Sequence, residues 1–287
     1  MSTNSFDSAK YKDGQRQHWD SVASGWEKWW ETLERFSQIV TESLIKMADI
    51  KQGQRVLDFA TGIGEPALSV AKVVGGSGKV IAVDVSSQML AIAQKRASDL
   101  GATNVEFQES DAENMNFSER EFDSIVSRWG LMFLPNVDST LKGVYRMLVP
   151  KGKFATAVWD KPENIPFFSL AVQVLRQMFD VPTPPPEAPT MSGLSEGVME
   201  EQMANAGFSD IQTETITVNF EFSSAGEYSQ LMKDIAAPLR VMLANQSPDE
   251  VAQYWKTLEE NAAKDYGTEN GGVQLPGISI SVAGLRE

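Results

Sequence analysis

The chain has 287 residues, no cysteine, a single histidine and a formal net charge of -14. Disulfides, thiolate catalysis and zinc–thiolate sites are excluded, and so is a histidine-rich metal centre, so no metal ligands are assigned. The acidic balance disfavours nucleic-acid phosphate and anionic membranes as partners, and the length suits one large domain or a core carrying a lid.

The polar opening MSTNSFDSAKYKDG lacks the apolar stretch of a secretory signal. No apolar run approaches the roughly 20 residues of a membrane-spanning helix. A cytoplasmic location is the expectation. Residues 1–13 read as a mobile tail. A tryptophan-rich helix is predicted over Gln15–Phe36 and a second over Ser37–Ala48.

Alternation of short apolar runs and helical patterns then begins. Strands are predicted at Arg55–Ala60, Lys79–Asp84, Val105–Gln108, Ser124–Ser127 and Lys153–Trp159. Helices are predicted at Glu65–Val74, Ser87–Leu100 and Val137–Leu148, with a turn at Pro150-Lys151-Gly152. Strands separated by helices of this length predict a doubly wound parallel α/β sheet.

Past Asp160 the texture changes. A helix is predicted near Phe167–Met178, followed by a proline-rich crossing loop over 181–186. Leu194–Ala206 reads as helix, Ile211–Phe222 as strand, Ala225–Leu243 and Pro248–Tyr266 as helices, and Ile278–Leu285 as a final strand. Residues 161–205 and 225–275 are expected to lie as lids above the C-terminal strand ends, where such sheets bind ligands.

The chemistry concentrates in Val56-Leu57-Asp58-Phe59-Ala60-Thr61-Gly62-Ile63-Gly64-Glu65-Pro66, a strand, a glycine turn and a helix start. Glycines let a ligand approach bare backbone, and a helix N-terminus offers free N–H groups. By itself this segment also fits a plain tight turn. Asp84 ends the second strand about 20 residues later, where a carboxylate can accept both ribose hydroxyls of an adenosine. That pair of features fits NAD and S-adenosylmethionine (SAM) equally.

The next segment separates them. With Ser110-Asp111-Ala112-Glu113 after the third strand, Val85-Ser86-Ser87-Gln88-Met89-Leu90 after Asp84, and Leu148-Val149-Pro150-Lys151-Gly152-Lys153 before the fifth strand, the chain resembles the class I SAM-dependent methyltransferases. The likeness is greatest to the small-molecule branch that includes the ubiquinone and menaquinone C-methyltransferases. It implies a Rossmann-like seven-stranded sheet of order 3-2-1-4-5-7-6 with an antiparallel last strand and helical lid insertions. It also implies three parts: a closing segment at 1–50, a SAM-binding core at 51–160, and lid helices with the last two strands at 161–287.

The resemblance implies SAM as cofactor and assigns roles residue by residue. Asp58, Thr61, Gly62 and Gly64 form the turn beside the methionine part, and Asp84 with Val85 takes the ribose. Met89 packs on the adenine, while Asp111 takes its amino group and Ala112 offers backbone to the ring. Ser127 and Arg128 run beside the methionine part; Arg128 either pairs with the SAM carboxylate or makes a structural ion pair. Trp129 and Phe133 lead into the substrate pocket, although Phe133 also suits the core.

The segment from His18-Trp19-Asp20 to Gly25-Trp26 resembles the aromatic stretch that closes over SAM in relatives. Trp26 is the candidate facing the sulfonium, with Trp19 second. His18 is the candidate general base. Ala60 stands where the family commonly has a third glycine, and no C-terminal signature of the quinone enzymes is present. The expectation is methyl transfer from SAM to a small, partly apolar organic molecule. The alternatives are an NAD(P)-type oxidoreductase and a catalytically silent SAM-binding or partner-binding protein.

Overall fold

The computed structural model describes residues 6–181, 185, 187–195 and 197–287. Strands β1 (Arg55–Phe59), β2 (Lys79–Asp84), β3 (Val105–Glu109), β4 (Phe122–Arg128) and β5 (Leu148–Trp159) pair in parallel. Strand β7 (Val273–Leu285) runs antiparallel to both β5 and β6 (Ser209–Phe222). The seven strands form one sheet of order β3-β2-β1-β4-β5-β7-β6, the Rossmann-like order expected from the sequence.

The register places Phe59 beside Val83 and Asp58 beside Val126, so β1, β2 and β4 end together. The strand order reverses between β1 and β4, which opens a crevice at their C-terminal ends. Strands β1, β2 and β4 are almost wholly buried, as apolar strands covered on both faces must be.

Around the sheet lie α1 (Ser8–Met47), α2 (Ala67–Val74), α3 (Ser87–Asp99), α4 (Val137–Met147) and α5 (Pro166–Met178). They are joined by α6 (Val198–Asn205), α7 (Ala225–Ile235), α8 (Ala237–Leu243) and α9 (Pro248–Tyr266). Helices α5 and α6 are inserted after β5, and α7 to α9 between β6 and β7. None of the described helices is long and apolar enough to cross a membrane.

The N-terminal expectation needs correction. Residues 8–13 are helical, and the two predicted helices are one helix of 40 residues. Nothing between Phe36 and Ser37 breaks it, because no proline intervenes and Ser37 is buried against the core. Asp7 caps its start by accepting from the Lys10 N–H at 3.0 Å. At about 1.5 Å per residue α1 spans roughly 60 Å. It packs on α3, α7 and α8 and on strands β4 to β7.

Two further segments differ. The predicted turn at 150–152 lies inside β5; Lys151 does adopt a left-handed φ of 67°, but its N–H donates to Arg286 and pairing continues. The ladder absorbs the turn as a bulge. The single helix predicted over 225–243 is two, parted at Ala236 just before Pro238. Most of the proline-rich stretch lies outside the described residues, and the helix expected from Leu194 begins at Val198.

Candidate functional site

The glycine turn after β1 is built from backbone. Thr61 donates to Val83, Gly64 and Glu65 donate to Thr61, and Gly62 donates to the Asp84 carboxylate at 2.7 Å. Ala60 adopts φ 55°, the left-handed conformation that glycine would favour, and the turn forms all the same. Around Gly62, also left-handed, a Cβ would meet nothing within 4 Å, so the backbone faces open space there.

Asp84 is buried at the end of β2 and receives the Ser86 N–H at 2.9 Å on its other oxygen. Burial pushes its pKa up, against the hydrogen bonds from Ser86, Gly62 and Val85. Three backbone donors against four carboxylate lone pairs leave Asp84 with acceptor capacity to spare. Asp84 pairs in register with Glu109, so Asp111 stands just past the neighbouring strand end. Asp111 starts the short turn Ala112–Asn114 and accepts the Glu113 N–H at 3.0 Å.

Beneath the turn is a buried charged cluster. Asp58 is fully enclosed and pushed up to about 8 by desolvation, which outweighs Thr61, the Ala67 N–H and the charge of Arg128. Its Oδ2 accepts from Ala67 at 2.9 Å, whereas its Oδ1 and the Thr61 hydroxyl lack a well-formed hydrogen bond. Arg96 of α3 donates to the Ile63 carbonyl at 2.6 Å, approaches Glu65 at 3.4 Å and lies 4.4 Å from the Trp30 ring. Trp30 thus rests on the arginine that holds the turn.

Arg128, at the end of β4, donates to both carboxylate oxygens of Glu34 at 3.0 and 3.2 Å and to Thr41 at 2.6 Å. Burial opposes its charge, and Glu34, Glu65 and Asp58 outweigh that penalty. Of the two readings open in the sequence, the ion pair is present. The Ser127 hydroxyl is committed to the Phe59 carbonyl at 2.9 Å, and the Ser127 carbonyl accepts from the Thr156 hydroxyl at 2.9 Å.

Helix α1 packs against the glycine turn. Val22 and Ala23 form a small apolar cluster with Ile63 of the glycine turn, Met89 of α3 and Ala237 of α8, flanked by Trp19, Trp26 and Trp30. Trp19 meets Trp26 edge-on at 6.2 Å and Phe133 at 5.1 Å. The Trp26 indole N–H is buried with no partner among the described residues. Close contact is possible because Gly25 crosses the end of α7, where a Cβ would lie 2.1 Å from the Asp234 carbonyl. Asp234 also accepts from Lys28 and Trp29, at 2.7 and 2.8 Å. His18 is half-buried on the same helix.

Trp129 follows β4 with φ 60°, a strained conformation for a bulky residue. Its N–H donates to Ala157, its indole N–H donates to the buried Ser279 hydroxyl at 3.0 Å, and its ring stacks on Trp159 at 4.3 Å. Lys12, Asp20, Glu34, Arg96 and Ser279 were not singled out in the sequence. Asp20, which accepts from Ser86 at 2.6 Å, lay within the closing-segment pattern; the others carried no local signal.

A switch-point crevice with a glycine turn and carboxylates at two neighbouring strand ends suits an adenosine cofactor. The model of the ubiE/COQ5 methyltransferase family matches residues 17–180. The chain belongs to this family. Its cofactor is S-adenosyl-L-methionine. The groups present fit that molecule: open space above Gly62, spare acceptor capacity on Asp84, and unpartnered polar atoms on Trp26 and Thr61 beside the turn.

The ubiquinone/menaquinone biosynthesis C-methyltransferase UbiE of Pseudomonas putida is 33% identical over 121 residues, 42% of this chain and 47% of that protein. The UbiE of Azotobacter vinelandii is 35% identical over 121 residues, 42% of this chain and 48% of that protein. The chain thus spans about half the length of the curated relatives it matches. Among solved structures, the YcgJ protein of Bacillus subtilis has a TM-score of 0.58 at 20% identity, over 87% of this chain and 99% of that one. Phosphoethanolamine N-methyltransferase 2 of Haemonchus contortus has a TM-score of 0.56 at 19% identity, over 98% of this chain and 60% of that one. These likenesses are of fold.

Proposed function

We propose that this chain is a methyltransferase that transfers a methyl group from SAM to a small, partly apolar organic molecule by direct displacement. The observation that carries this reading is the aromatic enclosure of Trp19, Trp26 and Phe133 over the glycine turn, with the Trp129–Trp159 stack beside it. Bound SAM supplies an activated methyl on a sulfonium. Aromatic faces favour a cation and exclude water, and alignment in a dry site contributes much of such a rate.

In this reading residues 1–50 form the closing segment, 51–160 hold the cofactor, and 161–287 add the lid helices and the last two strands. Asp84 and Val85 hold the ribose, and Asp111 and Ala112 the adenine against Met89. Thr61, Gly62, Gly64 and the Ser127 backbone lie along the methionine part, steadied by Asp58 from below and Arg128 from the side. The Trp26 indole N–H donates to the cofactor or the acceptor, which gives that buried group a partner. Trp129 and Phe133 face the acceptor, and His18 is the candidate to take a proton from it.

The test is a labelled-methyl SAM assay against pooled small metabolites, with product mass as readout and Asp84→Ala as control. Methylation of a small molecule is expected. Asp84→Ala should weaken SAM binding by about tenfold to a hundredfold, the equivalent of a lost charge-assisted hydrogen bond. Unchanged SAM affinity in a folded Asp84→Ala chain would remove Asp84 from the cofactor site.

A further inference from the structure

Three polar groups compete for one carboxylate at the adenine end of the site. Asp111 Oδ1 accepts the Glu113 N–H at 3.0 Å. Its Oδ2 accepts from Asn114 at 2.7 Å and from the Lys12 ammonium at 2.6 Å. Lys12 also lies 3.0 Å from Glu113. A carboxylate oxygen has two lone pairs, so Oδ2 is filled while Oδ1 keeps one. Glu113 and Asn114 belong to the same short turn as Asp111 and move with it. Lys12 reaches it from α1, across 99 positions of sequence.

The stretch of α1 that carries Lys12 is weakly anchored. Fully buried residues of α1 begin at Val22, Trp19 packs edge-on against Phe133 and Asp20 accepts from Ser86, so it is the turns ahead of Trp19 that reach the sheet through Lys12. Lys12 and Asp111 are each about a quarter exposed, at 26% and 27% of side-chain surface. Such a segment opens locally without disturbing the core.

We propose that Lys12 is an internal competitor for the adenine subsite: its ammonium holds one of the two carboxylate oxygens that the adenine amino group can use, so cofactor binding competes with Lys12 and releases the first turns of α1. This rests on the cofactor reading above and adds to it a device that couples cofactor occupancy to the cover. The ion pair latches α1 over the crevice, and the incoming base exchanges one donor on Asp111 for another. Trp26 and the buried part of α1 stay in place, so the cover loosens from its N-terminal end only.

The test titrates the full chain with S-adenosylhomocysteine by calorimetry, as wild type, Lys12→Met and Lys12→Arg. Lys12→Met should bind about threefold tighter, in proportion to a partly exposed ion pair, and Lys12→Arg should match the wild type. The wild-type affinity should rise with salt, which screens the latch, and the Lys12→Met affinity should not. Amide exchange over residues 8–20 should quicken when the ligand binds. Lys12→Gln, another good helix former, repeats the measurement should the Met variant fold poorly. Equal or weaker binding by the folded Met and Gln variants would overturn the proposal and leave the cofactor reading intact. No binding by any chain would overturn both.

Discussion

Glu34 of α1 and Arg128 at the end of β4 form a two-pronged ion pair, 3.0 and 3.2 Å long, across 94 positions of sequence. Their side chains are only 16% and 10% exposed. The pair therefore ties the long N-terminal helix to the sheet at the mouth of the crevice. Breaking one half leaves an uncompensated charge indoors, which costs more than the intact pair contributes.

Glu34→Ala should accordingly lower the unfolding free energy by about 3 kcal/mol in urea titrations. Replacing both residues by Met should cost less than the single change, since no charge is left stranded. A double variant less stable than Glu34→Ala would mean that the pair is worth more than its burial costs.

Asp58 sets a pH dependence of a defined sign. Its pKa rises from 3.8 to about 8 on folding, chiefly through desolvation. The folded chain thus holds this proton more tightly than the unfolded one. The stability it contributes is full below pH 3.8 and is lost as pH rises towards about 8. Asp58→Asn keeps the acceptor for the Ala67 N–H and cannot ionise. Its stability, measured by denaturant melts across this range, should fall less steeply with pH than the wild type's, with the variant the more stable at pH 8. Parallel profiles would refute the assignment of the buried proton.

Ser279 governs the strained Trp129. A left-handed tryptophan costs about 1–3 kcal/mol, so its surroundings must over-determine it. Ser279→Ala strands the indole N–H that now donates at 3.0 Å. It should destabilise the chain by about 1–3 kcal/mol. The near-ultraviolet circular dichroism of the Trp129–Trp159 stack should weaken in parallel. Loss of stability with an unchanged spectrum would show that the stack alone holds the ring.

Much of the framework was readable in the chain. Short apolar runs between helical periods locate β1, β2 and β4 to within a few residues, because these central strands are covered on both faces, whereas the edge strand β3 is only partly covered. The helix Pro248–Tyr266 matches its signals at both ends: Ser247 and Glu250 form a capping box, and Gly267 follows. The glycine turn, Asp84 and Asp111 lie at consecutive strand ends, so local pattern and resemblance bring them to one edge. Strand order was implied by the likeness to a family, not by periodicity.

The tertiary structure decided what touches those residues. Sequence places Lys12 in a tail, Glu34 on a helix face and Ser279 in a strand, with nothing local to mark them. Each acquires its role from a partner about 90 to 150 positions away: Asp111, Arg128 and Trp129. Hydrophobic periodicity reports which face of an element turns inward, because burial depends on a residue's own side chain and its near neighbours. A buried ion pair or hydrogen bond depends on two distant residues meeting, and only the packing of α1 on the sheet and the pairing of β7 within it bring these together.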